Sequence, residues 1–266
     1  MRLLMNRIVL LTSVWPLTLL GMMHTAVAKP QIGFDSLCKQ PEQIEKILKQ
    51  YQITNTMNKD FLACASLPNM PEHTLIAYAE AQTENDQIVD DYQLTFLTLN
   101  SQTHQMNSIY RVKEPLVSDA IELRSIQLDL AAYQVAKDVR AIGLRRNYIG
   151  HSRANPFSAQ VLDLYDLKNK KNILNSLIVA RSQAETDTRC NQDGLDSKAI
   201  LIMLRHKTQQ YFDIQLHDRI QAYEMSGDLE ECKETKRVST QQRFTLKFDG
   251  QQYRIPELHQ DQYLYD

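Results

Sequence analysis

The sequence predicts a mainly β protein, either a β-sandwich or a pair of packed antiparallel meanders, with a short helical cap near the N-terminus. Three observations support this prediction. From Thr74 onward the apolar residues follow a period of two, which is typical of half-buried strands. These segments, about ten in number, are short and are separated by polar turns. Helical spacing of apolar residues is confined to the part before residue 72.

Residues 1–28 are predicted to be a signal peptide. The first residues carry two arginines and no acid, residues 8–23 are largely apolar, and Ala26-Val27-Ala28 has the small-x-small pattern of a cleavage site. The apolar run is shorter than the roughly 20 residues of a membrane-spanning helix, and Pro16 interrupts it. We therefore expect a periplasmic or secreted protein that has no stable membrane insertion after cleavage.

Charge and composition exclude some partners of the mature chain. Two of the 30 basic residues lie in the signal peptide, so 28 remain against 32 acidic ones, a formal net charge of −4. A weakly acidic chain has no general attraction for nucleic acid or for an anionic membrane. We expect no nucleic-acid partner.

Residues 29–71 are predicted to be a helical segment. Pro41 suits a first helical turn, and apolar residues then follow helical spacing at Ile44, Ile47, Leu48 and Tyr51. A shorter helix over Lys59–Ala65, with Asn58 as its cap, would carry Cys64. The amphipathic helix could offer a partner surface, but a lid packed over one end of the sheet is the favoured interpretation.

Residues 72–266 are predicted to form the antiparallel β domain. Apolar residues change phase within Ile121–Leu130, which indicates two strands, or one strand with a bulge near Arg124-Ser125. The other predicted strands before residue 199 are Thr74–Ala81, Asp91–Leu99, Ser108–Val112, Val139–Arg146, Gln160–Leu167 and Ile173–Ser182.

The segment Ala199–Gln221 is predicted to be the central hairpin. Ala199–Leu204 is apolar at successive positions, which predicts burial on both faces. After a polar break at residues 206–210, Ile214 and Leu216 alternate with polar residues, among them Asp213 and His217, which we expect at the surface.

A last hairpin is predicted around the turn Asp249-Gly250. Its glycine suits a positive φ, and a two-residue turn would place Leu246 opposite Tyr253. This hairpin would close the β domain.

All four cysteines lie in the mature part, and an exported chain meets an oxidising compartment, so two disulfides are expected. Of the three possible connectivities, Cys38–Cys64 with Cys190–Cys232 is favoured because each pair is local in sequence. There is no Cys-x-x-Cys motif, so a zinc site and redox catalysis are both disfavoured. We expect neither a metal nor a cofactor.

The long loop Asn147–Phe157 is the predicted contact surface. It combines cationic donors with flat aromatic rings, a mixture that suits a sugar, a carboxylate or an acidic peptide. The residues chosen for binding are Arg146, Tyr148, His151, Arg153 and Phe157. The competing interpretation is a solvated connector.

Other candidate chemistry is weak. His151 adjoins Ser152, but adjacent residues make a poor catalytic pair, and the chain has no Gly-x-Ser-x-Gly turn. Acidic residues gather in sequence near Cys190 and Cys232, where calcium binding competes with a solvated rim, and we favour the rim. These acidic residues are Glu185, Asp187, Asp193, Asp196, Asp228, Glu230 and Glu231.

The sequence therefore predicts an exported, soluble, non-catalytic binding or protein-interaction module of the cell envelope. Its partner would be an unknown envelope protein or a carbohydrate. The alternative is an envelope hydrolase that acts on sugar or peptide polymers. No motif in the chain selects between the two.

Overall fold

The computed structural model describes residues 36–54, 56–82, 90–228 and 230–260. Most of these residues are in antiparallel strands, which confirms the predicted mainly β class. One α-helix, α1 (Pro41–Gln50), lies near the N-terminal side, and three short 3₁₀ turns cover Leu37–Lys39, Lys59–Phe61 and Glu257–His259. The predicted signal peptide lies outside the described residues. No described helix has both the length and the apolar character needed to cross a membrane.

The smaller sheet, sheet A, has five strands. Four of them follow one another in the order β1-β2-β3-β4, and β5 pairs with the first residues of β3. The strands are β1 (Leu62–Leu67), β2 (Met70–Gln82), β3 (Asp90–Asn100), β4 (Met106–Arg111) and β5 (Leu116–Ser118).

The larger sheet, sheet B, has seven strands in the order β14-β13-β12-β11-β10-β9-β6. A separate small hairpin, β7 (Gln134–Ala136) with β8 (Val139–Arg140), lies in sequence between β6 and β9. The strands of sheet B are β6 (Ile121–Asp129), β9 (Ile142–Gly150), β10 (Phe157–Asp166), β11 (Lys171–Thr186), β12 (Gln192–Thr208), β13 (Tyr211–Ser226) and β14 (Lys233–Leu246).

A hydrophobic core joins the two sheets. Leu75 and Leu97 of sheet A belong to the same buried cluster as Val161 and Ile178 of sheet B. The helix α1 adds its predicted apolar stripe to this cluster through Ile44, Ile47 and Leu48. Full burial of each such side chain contributes roughly 1.5–3 kcal/mol to the stability of the fold. The apolar face of α1 therefore packs within the protein.

A second core lies where sheet B divides. Strand β11 pairs with β12 only from Ala180 onward. Before Ala180, the C-terminal segment 248–260 lies beside β11 in the place that β12 would otherwise take. The Tyr253 N–H donates to the Ile173 carbonyl at 2.8 Å, and His259 Nδ1 hydrogen-bonds the Ile178 carbonyl at 2.8 Å. The C-terminal segment thus acts as a wedge inside sheet B.

Both predicted disulfides are present. Cys38–Cys64 joins the first 3₁₀ turn to β1, with 5.4 Å between the Cα atoms. Cys190–Cys232 joins the β11–β12 loop to the residue before β14, with 5.5 Å between the Cα atoms. Each bond closes a chain loop and so reduces the entropy of the unfolded state.

Two predicted boundaries near the N-terminal side need correction, and one prediction is confirmed. Residues 59–65 are not a helix, because a 3₁₀ turn gives way at Leu62 to strand β1, which pairs with β2 and carries Cys64. The β part therefore begins before residue 72. The phase change in β6 is confirmed as a single bulged strand, with the register shift between Leu123 and Ser125.

The central hairpin forms as β12 and β13, but its predicted burial was wrong in two respects. Ile200 and Ile202 are 56% and 40% exposed, because that face of β12 carries no second layer. Asp213 is buried instead of exposed, and its Oδ2 lies 2.7 Å from His206 Nδ1. His206 belongs to β12, so the predicted polar break at residues 206–210 narrows to a two-residue turn.

The last hairpin differs from its predicted register. Phe248, not Leu246, lies opposite Tyr253, and a four-residue turn with Gly250 at φ +105° connects them. Leu246 instead pairs with Ile214, since β14 joins β13 at the edge of sheet B.

Candidate functional site

The structure divides the five predicted contact residues. Strand β9 continues to Gly150 and β10 begins at Phe157, so the connecting loop is only residues 151–156. Arg146 and Tyr148 are buried between the sheets, 5% and 3% exposed, and cannot contribute to an outer surface. The sequence placed Arg146 at the end of a strand and Tyr148 in the long loop, and their burial corrects the expectation that both side chains belong to one contact surface with the other three. His151 and Arg153 are exposed, and Phe157 is half-buried.

Arg146 takes part in an interior charge network. Its Nε lies 2.8 Å from Asp163 Oδ2, and its Nη2 donates to Asp163 Oδ1 at 3.0 Å and to Ser176 Oγ at 2.8 Å. Its Nη1 donates to the Tyr148 hydroxyl at 2.8 Å. Burial alone would lower the pKa of Arg146, but the charge of Asp163 raises it above its usual range. Arg146 therefore stays charged and links β9, β10 and β11.

The loop 151–156 is held by short local contacts. His151 Nε2 lies 2.6 Å from Glu122 Oε2, and Arg124 donates to the other oxygen of Glu122 at 2.7 Å. The hydrogen bond from His151, followed by that from Arg124, holds the pKa of Glu122 below its usual range. The Asn155 N–H donates to Ser152 Oγ at 3.0 Å. The loop is an ordered turn with a solvent-exposed histidine.

A surface groove lies beside this loop, at the end of the sandwich. Phe157, Ala159 and Val161 alternate onto one face of β10, and the latter two belong to the core that sheet A covers. Beyond Phe157, the same face of sheet B is open and forms a groove of about 980 Å³, here called the end groove. Its walls include Asp119 from the β5–β6 connection and Pro156 from the loop.

The first row of the groove floor is mostly apolar. Its members are cross-strand neighbours along five adjacent strands, so their side chains share one face. Val238 is 46% exposed, and Phe157 and Leu195 are half-buried. This Phe157 row consists of Phe157, Gln183, Leu195, Ala222 and Val238.

The second row lies two residues along each strand and is charged. This Asp193 row consists of Glu185, Asp193, Glu224 and Lys236, again as cross-strand neighbours. Lys236 Nζ lies 2.5 Å from Glu224 Oε1, and that hydrogen bond, with the charge of Glu224, raises the pKa of Lys236. Like charges directly opposite each other on a sheet destabilise it. Glu185, Asp193 and Glu224 nevertheless stand side by side.

The end groove is acidic as a whole. Four carboxylates and one lysine line it, a net charge of −3. The described residues contain no group of three or more His, Cys, Asp or Glu side chains placed to hold a metal ion. The arrangement can attract a cationic ligand and offers apolar contact beside it.

The opposite face of the same strands is braced by an aromatic side chain. A Cβ at Gly194 would lie 2.1 Å from Tyr223 Cζ, so the absence of a side chain lets the ring lie across the neighbouring strand. The guanidinium of Arg237 lies 5.3 Å from the centre of that ring, and Gln192 Nε2 donates to the Tyr223 hydroxyl at 2.9 Å. The floor of the groove is therefore backed by a stacked layer.

Sequence reasoning reached only part of this groove. It named Phe157 and noted Glu185 and Asp193 as acidic residues near the second disulfide. It missed Lys236 and Val238, because residues 233–241 of β14 are exposed on both faces and have no apolar period. It also missed Glu224 of β13, which only the strand pairing brings beside Asp193. Strand register alone brings these residues together.

The chain matches no protein-family model, no curated protein and no solved structure with which it was compared.

Proposed function

We propose that the chain is a non-catalytic binding module that holds a basic, extended segment of a partner protein in the end groove. The observation that carries this proposal is the Asp193 row, in which three neighbouring carboxylates face solvent on an open sheet surface. Of its three carboxylates, only Glu224 forms an ion pair among the described residues, with Lys236.

The electrostatic argument concerns the free and the bound states. Cross-strand charge pairs change stability by roughly 0.2–1 kcal/mol each, with like charges unfavourable. Lys236 pairs with Glu224 at the far end of the row, and its charge also attracts Asp193. A lysine or arginine of a partner, placed between Glu185 and Asp193, would remove the remaining repulsion and be attracted by the net charge of the groove. An acidic peptide, one of the ligands that suited the loop in sequence, would be repelled.

The dimensions favour a peptide segment. The floor spans five strands, so at about 4.8 Å between neighbours its width is about 19 Å, which fits roughly six residues of an extended chain. A segment with alternating basic and apolar residues would place its charges over the Asp193 row and its apolar side chains over the Phe157 row. Such complementarity gives specificity as well as attraction.

Cellular context supports a partner outside the cytoplasm. Disulfides persist in oxidising compartments, and the chain has two. With the signal-like residues 1–28, this supports a periplasmic or secreted protein of the cell envelope, whose partner would be another exported protein.

The test is calorimetric titration of the oxidised mature protein with three probes at low and at physiological salt. The probes are the capped hexapeptide Lys-Val-Lys-Val-Lys-Val, its Glu-Val counterpart and chitotetraose. We expect only the lysine peptide to bind, and more weakly at higher salt because the charges are exposed. Asp193→Asn should weaken binding about fivefold, which corresponds to about 1 kcal/mol.

Asp196→Asn is the matched control. It removes the same charge from the same strand, but Asp196 lies on the opposite face. Equal loss in both variants would show non-specific attraction and contradict the proposed site. Binding of chitotetraose alone would instead indicate a carbohydrate module, and hydrolysis of chitotetraose or of either peptide would indicate the hydrolase.

A further inference from the structure

A smaller cavity of about 260 Å³ lies against the Arg146 network, and we call it the interior pocket. Residues of the β4–β5 connection and the first two residues of β5 contribute to one wall, and β11 contributes Asn172, Asn175 and Ser176. Arg146, Tyr148 and Tyr165 also line it. Glu114, Pro115, Val117 and Asn175 are exposed, so the pocket opens to solvent along this side.

One buried polar atom beside this pocket, Asn172 Oδ1, lacks a hydrogen-bond partner among the described residues. An unpaired buried polar group is costly. Tyr165, a residue that is 1% exposed, also lines the pocket, and its hydroxyl makes no hydrogen bond to another described residue. A ligand in the pocket could therefore hydrogen-bond both side chains.

The Tyr165 ring is fixed by its aromatic neighbours. Its centre lies 4.7 Å from that of Phe96 and 6.4 Å from that of Tyr110. Burial, followed by the charge of Asp163, raises the pKa of Tyr165 well above its usual range. The hydroxyl thus stays protonated and is available both to donate and to accept.

The backbone beside the pocket is strained. Ser176 is buried and has a φ of +62°, a value that favours glycine. Its N–H donates to Asp163 Oδ1 at 2.7 Å and its Oγ accepts from Arg146, which holds the conformation in place. Strain of this kind clusters at ligand-binding and active sites.

The charges around the pocket disfavour an anion, and its uncharged lining groups favour a ligand that forms hydrogen bonds. Asp163 balances Arg146, and Glu114 and Asp119 add two negative charges to the lining, which disfavours an anion. The remaining polar groups are hydroxyls and amides, which match hydroxyl groups that donate and accept. The volume is slightly below the roughly 300–1,000 Å³ of pockets for drug-sized ligands.

We propose that the interior pocket binds a small, neutral, polyhydroxylated molecule about the size of one sugar ring, with Tyr165 and Asn172 as its hydrogen-bond partners. This site is separate from the end groove, with which it shares only Asp119. The protein would then have two binding sites, one for a partner protein and one for a small molecule.

The test is ligand-observed NMR of the mature protein with D-glucose, D-galactose and N-acetyl-D-glucosamine. Acetate and tetramethylammonium serve as charged probes. We expect at least one sugar to bind and Tyr165→Phe to weaken it about three- to tenfold, the range of one lost hydrogen bond. Tyr133→Phe is the control, since its hydroxyl donates to Asp129 at 2.8 Å and does not line the pocket.

The melting temperatures of the two variants separate binding from folding. Tyr165→Phe should melt no lower than the parent, because the removed hydroxyl has no protein partner, whereas Tyr133→Phe should melt lower. The proposal is overturned if none of the three sugars binds, if a charged probe binds in preference, or if Tyr165→Phe binds the sugar as well as the parent does.

Discussion

The face of sheet B that sheet A partly covers carries charges in two places, and their surroundings are opposite. Under sheet A, Arg146 and Asp163 are of opposite sign, and each has further hydrogen bonds. At the open end, Glu185, Asp193 and Glu224 are of like sign and lie side by side in the groove. The two groups of charges lie on one continuous sheet.

The buried charges must be paired for the protein to fold, whereas the exposed charges can be of either sign without preventing folding. Burial of an unpaired charge costs several kcal/mol, so the interior site needs its ion pair once either member is present. At the open end water solvates each carboxylate, and the fold does not dictate the sign of its neighbours. The like-charged row therefore points to a ligand.

The largest expected effect comes from breaking the interior pair. Asp163→Asn keeps the side-chain shape but leaves Arg146 buried without its counter-charge, and should lower the free energy of unfolding by about 3–5 kcal/mol. Chemical denaturation at neutral pH measures this loss. The double variant Arg146→Met/Asp163→Leu should recover much of it, because no charge is left uncompensated. A loss below about 1 kcal/mol in the single variant would show that the network is not needed.

The second disulfide gives the next largest effect, at the open end of the sheet. Cys190→Ser/Cys232→Ser removes a link between positions 42 residues apart, for which the loop-entropy model gives roughly 4 kcal/mol. Residues 233–241 of β14 are exposed on both faces, so we expect the loss mainly as local opening of the outer halves of β13 and β14. Hydrogen exchange should accelerate there and remain slow in β9 and β10. Uniform acceleration throughout sheet B would mean that the open end and the core unfold as one unit.

Asp129 is an intermediate case, since its side chain is only partly covered. Burial raises the pKa of Asp129, but hydrogen bonds from Ala131 N–H and the Tyr133 hydroxyl, with the charge of Arg145, hold it below the usual 3.8. A lowered folded-state pKa contributes stability above the unfolded-state pKa, and this contribution is lost as pH falls through the folded-state value.

The corresponding variant is Asp129→Asn. It should cost about 1 kcal/mol at pH 7, less than a fully buried charged hydrogen bond because solvent reaches the carboxylate. The difference from the parent should shrink as the pH is lowered below about 4, which denaturation at several pH values would measure. A difference that is independent of pH would assign the loss to shape instead of charge.

Local pattern was enough to predict the β class, the helix α1, the phase change in β6 and the cysteine pairs. Each of these depends on residues close in sequence or on an alternation that a buried face imposes, as in β10 and β13. The outer part of β14, residues 233–241, was missed because it buries neither face, so no apolar period marks it. Ile200 and Ile202 were predicted to be buried because they are apolar, but they are exposed in the structure.

The candidate sites depend on long-range register and were therefore less predictable. Arg146 and Tyr148 were expected at the surface, because a buried arginine needs a partner of opposite charge and the neighbouring sequence offers none. That partner, Asp163, lies on another strand, 17 residues away in sequence. In the same way, Glu185 and Asp193 become neighbours of Glu224 only through two strand pairings. A sequence records which charges exist, whereas the register decides which of them meet.

The smallest expected effect is a stabilisation, whereas most substitutions destabilise a protein, and it directly tests whether the exposed charges repel one another. Asp193→Asn removes the middle charge of three like neighbours, so it should raise the free energy of unfolding by about 0.5 kcal/mol at low salt, the middle of the range for cross-strand pairs. Asp196→Asn, on the other face, should not stabilise, because Asp196 lies opposite Ser182 and Gln221 and so has no like-charged cross-strand neighbour. Added salt should abolish the gain, since it screens the repulsion between exposed carboxylates. A variant that is more stable but binds the lysine peptide less well would show that the open end gives up stability for binding. If Asp193→Asn destabilises the chain instead, the Asp193 row is structural and the contrast between the two regions fails.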